Sequence, residues 1–155
     1  MEFKQLNRTD PEQVFGVFKN GEAFYINGGT AVAVDYTTDA DGNTVILPTT
    51  AMLHAFAGCV KDGETIGTSG QPNEYGLVQT YGHHPGIYMA GTTVTAGAMM
   101  APVNTKSYVT LAVTHADSTT EAPNESIAFI TAGTTACLKA SSTFGNTYRG
   151  FIRAM

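Results

Sequence analysis

Residues 81–88 read YGHHPGIY, and the adjacent histidines His83 and His84 raise two kinds of chemistry, metal ligation and general base catalysis. A structural zinc needs four nitrogen or sulfur ligands at short spacings, and a catalytic zinc needs three with an open position. The other candidates, His54, Cys59, His115 and Cys137, stand isolated along the chain. No HExxH or CxxC pattern gathers them. On an extended strand His83 and His84 would point to opposite faces. Ahead of Pro85 and Gly86 they fit a turn, with both rings open to solvent. The expectation is a turn or interface role, with no metal and no cofactor.

The remaining candidates for catalysis weaken in the same way. A cysteine nucleophile needs a lowered pKa and a nearby base. Cys59 sits in AGCV and Cys137 in TACL, and both stretches read as core. Both thiols are expected to be free, with a disulfide between them as the alternative. No GxSxG elbow supports serine hydrolysis. Asp35, Asp39 and Asp41 with Gly42 resemble part of a calcium loop, but the closing glutamate is missing, so a solvated hairpin turn is expected. Gly67-Thr68-Ser69-Gly70 lacks the lysine of a phosphate-binding loop. Sugar sites commonly use exposed tryptophan, and this chain has none, although its seven tyrosines leave a carbohydrate-binding module open. No catalytic residue is expected, and the chain is read as a non-enzyme.

The elements that would position these residues are short strands. No window carries a helical stripe of apolar residues. Val14 to Lys19 reads as a strand after a turn at 9–12, closed by Asn20-Gly21. Thr30 to Tyr36 alternates, with Val32, Val34 and Tyr36 on one face and Ala31, Ala33 and Asp35 on the other. Further strands are expected at Thr44 to Leu47, Phe56 to Val60, Tyr75 to Tyr81, Tyr88 to Thr95, Tyr108 to Thr114, Ser126 to Thr131, Thr135 to Lys139 and Thr147 to Arg153. Gly67 to Asn73 and Ala116 to Glu125 read as loops. Many short strands with frequent turns predict an all-β fold, a small single-domain sandwich or barrel. Residues 1–10 form an N-terminal arm and 11–155 the β-rich domain.

Composition narrows the function. A chain of 155 residues suits one domain and can bury about 68–70% of its unfolded surface. Charged residues are 14%, below the roughly 25% usual in soluble domains, which suggests self-association. The net charge is −5 and the eight basic residues are scattered, which argues against a nucleic-acid partner. No apolar run reaches the length of a membrane-spanning helix. The first residues, MEFKQLNRTDPEQ, lack the apolar segment of a secretion signal.

Three stretches carry a resemblance: NRTDPE with Val14-Phe15 and VFKN, then NEYGLVQTYG at 73–82, and the ending GFIRAM. Together they resemble the head decoration, or cement, proteins of tailed bacteriophages. The resemblance implies a β-rich protein on the outer capsid surface, made in the host cytoplasm, commonly a homotrimer, with the major capsid protein as partner. It implies no catalytic residues. Phe3, Leu6, Arg8, His83 and His84 are then the expected contacts to capsid or neighbouring subunits. The alternative is a carbohydrate- or receptor-binding β module of a tail or fibre.

Overall fold

A computed structural model describes residues 13–53, 55–67, 74–89, 99–111, 128–130, 139–141 and 145–154. Among the described residues twelve strands run in order: β1 (Gln13–Asn20), β2 (Ile26–Asn27), β3 (Ala31–Val34), β4 (Thr44–Ile46), β5 (Phe56–Val60), β6 (Thr65–Ile66), β7 (Tyr75–Met89), β8 (Met99–Pro102), β9 (Val109–Leu111), β10 (Ala128–Ile130), β11 (Lys139–Ser141) and β12 (Gly145–Arg153). The only helical element among the described residues is a 3-10 turn at Thr50–Met52. The fold is all-β, as the strand and turn spacing predicts.

Ten strands form one sheet in the order β1-β4-β3-β5-β7-β9-β8-β10-β12-β11, and β1 and β12 each also pair with β7. The β1–β7 pairing closes β1, β4, β3, β5 and β7 into a five-stranded barrel. The β7–β12 pairing closes a second circuit through β9, β8, β10 and β12. β7 belongs to both. It has 15 residues and at about 3.3 Å per residue extends roughly 50 Å, enough to serve two rings in succession. Its first half pairs with β1 from Tyr75 to Gly82, and its second half pairs with β12 from Tyr81 to Met89.

The cores follow from this closure. Ile26, Val32, Val45, Ala57, Val60, Ile66 and Val78 fill the first barrel, with Phe18 and Val34 packed against them. Ala31, Phe56, Cys59, Ile87, Met89, Met100, Val109 and Ile152 form a second core. β3 and β5 supply both, so they act as the wall between them. This is why FAGCV is apolar at every position and buried at every position.

One bulge lets β5 serve two cores. Val32 pairs with Gly58 and Ala33 with Phe56, so Ala57 is an extra residue. In a regular strand Phe56 and Cys59, three apart, would face opposite sides. The bulge resets the alternation and places both in the second core, while Ala57 and Val60 face the first. Gly58 makes the bend at φ +139°, and a Cβ there would lie 2.0 Å from the Gln79 carbonyl oxygen of β7. Only glycine fits.

The structure corrects several sequence expectations. Tyr75 to Tyr81 and the start of Tyr88 to Thr95 are one strand, so His83-His84-Pro85-Gly86 is not a turn. Between Tyr148 and Gly150 of β12, β7 carries an extra residue, which makes Pro85-Gly86 a bulge. A proline has no N–H to give a ladder, and a bulge is where a strand tolerates one. Burial switches there from Gly82 and His84 to Ile87 and Met89. β3 is shorter than Thr30 to Tyr36, because Asp35 turns the chain through Thr37 and Thr38. β2, β6 and β8 are strands the sequence reading lacked, too short to show a period. The arm at 1–10, the turn at 9–12, nearly all of the 67–73 loop, the 116–125 loop and most of Thr135 to Lys139 lie outside the described residues.

Candidate functional site

The residues around His84 explain where the paired histidines go. His84 is fully buried. Its Nε2 lies 3.0 Å from the Val60 carbonyl, and the Gly86 N–H donates to its Nδ1 at 3.1 Å. A carbonyl only accepts and an amide N–H only donates, so the proton sits on Nε2 and the ring is neutral. Burial pushes its pKa below the ordinary histidine value, against a smaller opposing pull from the Val60 carbonyl and Asp62. The bulge takes the Gly86 amide out of the ladder, and the imidazole satisfies it.

The Val60 carbonyl also accepts from the Gly29 N–H at 2.8 Å, and the Gly29 carbonyl accepts from the Tyr88 N–H at 3.0 Å. Gly29, at φ +83°, lies so close to β7 that a Cβ would meet the Gly86 carbonyl oxygen at 2.2 Å. The turn before β3, the end of β5 and the middle of β7 therefore meet on one histidine. His84 cannot touch a capsid or a neighbouring subunit, because no part of it reaches the surface. This corrects its assignment to an interface: the bulge directs it inward. His83 is half-buried, and its carbonyl accepts from Gln13 Nε2 at 2.7 Å. Phe3, Leu6 and Arg8 lie outside the described residues, as do His54, His115 and Cys137.

Cys59 is a free thiol with no exposed surface, and burial pushes it well above its ordinary pKa. It packs as an apolar group. Asp35 is nearly buried; burial works to raise its pKa, but hydrogen bonds from the hydroxyls and amides of Thr38 and Thr37 outweigh it and leave the carboxylate below its usual value. Asp39 accepts from the Thr44 hydroxyl at 2.6 Å and from the Asp41 amide at 3.1 Å. These carboxylates spend their oxygens on fixing the turn. Among the described residues no group of three histidine, cysteine or acidic side chains could hold a metal.

The surface offers a different kind of site. On the β1–β7 ribbon, Val17 pairs with Leu77, Lys19 with Tyr75 and Val14 with Tyr81. Paired residues share a face. Phe18 and Val78 point into the barrel, so Val17, Leu77, Lys19 and Tyr75 point out. Val17 is 62% and Tyr75 65% exposed; Val14 and Tyr81 are also open, but Val14 lies three residues from Val17 on a regular strand, so that pair opens on the opposite face. Tyr81 meets Phe151 of β12 edge-on, with ring centroids 5.0 Å apart. Lys61 Nζ lies 5.9 Å from the Phe15 ring centre and also pairs with Glu64. The result is a small outward patch of Val17, Leu77 and Tyr75 beside Lys19, carried by paired strands. VFGVF and YGLVQTY read from sequence only as strand formers, so the patch is not visible there. Their signal was the apolar residues on both alternating faces of β1, more than one core can absorb.

Comparisons with protein-family models, with curated proteins and with solved structures return no match.

Proposed function

We propose that this chain is a structural protein of a tailed-bacteriophage head, a decoration protein that binds the outside of the assembled shell as a homotrimer. The observation that carries the reading is the exposed pair Val17 and Tyr75, with half-buried Leu77 between them, on the outer side of the β1–β7 ribbon. Contiguous exposed apolar surface marks an interaction site more often than scattered apolar residues do. Closed rings hold the patch rigid, so binding costs little ordering entropy. The resemblance of NRTDPE, NEYGLVQTYG and GFIRAM to decoration proteins supplies the partner class, and the distinctive block lies on β7 itself.

The physical action follows from linkage. A protein that binds the assembled shell and not loose subunits stabilises assembly by mass action. A trimer that reaches several capsid subunits adds avidity, because its later contacts are intramolecular. About 1.4 kcal/mol per bridge shifts a local opening equilibrium tenfold.

Adding the protein back to shells that lack it should raise the temperature at which DNA escapes. A Val17→Ser, Tyr75→Ser variant that folds normally should bind shells at least tenfold more weakly. Saturated shells that lose DNA at an unchanged temperature would refute the cement reading. Tyr75 and Tyr81 also suit sugar stacking, which favours the tail or fibre module as the second reading. Binding on a glycan array without binding to shells would select it.

A further inference from the structure

We propose that His84 is an acid-sensitive fastener: protonating its ring parts the middle of β7 from the end of β5 and the turn before β3, and so loosens the strand that both rings share. The geometry leaves the second proton no place. It would sit on Nδ1, which now accepts from the Gly86 N–H at 3.1 Å, so two donors would face each other. The ring is fully buried, so water cannot relieve the clash without opening the junction. Its loss would free the Val60 carbonyl bond, which anchors the same corner as Gly29.

The surrounding charges do not rescue the imidazolium. The β5–β6 corner contributes Asp62, whose charge favours protonation, and Lys61, which is paired with Glu64. β7 contributes His83, which opposes protonation. β5 contributes only the buried Cys59, and β12 sets Gly150 opposite His84, with its Arg153 exposed. The turn at 27–30 carries no charge. Burial remains the largest influence and keeps the ring neutral.

The sign is fixed by linkage. The unfolded ring takes up a proton near pH 6.5 and the folded ring only below it. The stabilisation is complete above pH 6.5 and is lost as pH falls from there toward the folded value. In that window the folding constant should fall by up to about tenfold per pH unit.

Urea unfolding at steps from pH 7.5 to 5.0 tests this on the whole chain, with His84→Gln and His83→Gln beside it. The glutamine keeps an amide donor for Val60 and cannot titrate. The wild type and His83→Gln should lose stability below pH 6.5, and His84→Gln should lose up to tenfold less per pH unit. Nitrogen NMR of the wild-type rings should show His84 as the Nε2–H tautomer at pH 7.5 and still neutral just below pH 6.5. A flat wild-type profile, an unchanged slope in His84→Gln, or a His84 ring that charges near pH 6.5 without loosening the fold overturns the proposal. If His84→Gln does not fold, the wild-type profile and the ring titration decide it.

Discussion

The two halves of β7 solve the same problem by different means. From Tyr75 to Gly82 the strand is held mainly by backbone, with a ladder to β1 on one edge and to Cys59 and Val60 of β5 on the other. Beyond Gly82 the ladder to β12 is interrupted at Pro85-Gly86, and a side chain completes it. The cores differ too. The fully buried residues of the first are all aliphatic, with Phe18 packed at their edge, while the second contains Met89, Met100, Cys59 and Phe56, with the softer, more adaptable sulfur-bearing fillers among them. The lesson concerns reading side chains. The residue that looked most chemical, His84, is used where the backbone runs out of partners. The residues that looked most ordinary, Val17 and Tyr75, face outward.

The wall between the two cores is where both are most vulnerable. Gly58→Ala should destabilise both rings at once by about 4 kcal/mol or more, because it adds a clash with the Gln79 carbonyl to an unfavourable backbone conformation. Urea unfolding measures it. A loss under about 1 kcal/mol would mean that β5 and β7 part more easily than their contact implies.

A matched pair sharpens the contrast. Ile66 in the first core and Ile87 in the second are both fully buried. Each Ile→Ala change should cost about 3 kcal/mol. With β3, β5 and β7 common to both cores, each variant should still unfold in one transition, followed by tyrosine fluorescence and far-ultraviolet circular dichroism. Two transitions in Ile87→Ala would show the rings to be separate cooperative units.

The first ring also has one polar fastener of its own. Buried Asn20 donates to the Phe24 and Ile66 carbonyls at 2.7 and 3.0 Å and accepts from the Glu22 amide at 2.8 Å. Asn20→Ala should cost about 2 kcal/mol. Unlike His84, Asn20 does not titrate, so the loss should be the same at pH 5.5 and 7.5 in thermal or urea unfolding. At the other extreme, Val17→Ser and Tyr75→Ser should change stability by no more than about 0.5 kcal/mol each, since both side chains are largely in solvent. A larger loss in the isolated protein would mean that the patch already covers something within the chain.

Much of the architecture was legible. β5 at Phe56–Val60 and the strand nature of 13–20 followed from apolar runs bounded by turn residues. The strand expected at Thr147 to Arg153 is β12, with Ile152 buried and Arg153 exposed. What misled was punctuation. Pro85-Gly86 carries a turn's signature, yet a bulge uses the same two residues for the same reasons, a missing donor and a free backbone. Which one forms depends on β12, some sixty residues further on. The outer patch was illegible for a related cause: inside and outside are defined only once the rings close.

Shared possession of β7 also sets an order in time. Gln13 meets His83, which lies 70 residues later in the chain. At ribosomal speeds of about 5–20 residues per second, that interval lasts roughly 4–14 s. Until Tyr75–Gly82 has been synthesised, β1 has no long ladder to join, and Val14, Phe15, Val17 and Phe18 stay unpaired. β7 then waits in turn for β12. Each ring closes only when its most distant strand arrives, so folding is governed by long-range pairing and falls in the slow, millisecond-to-second class.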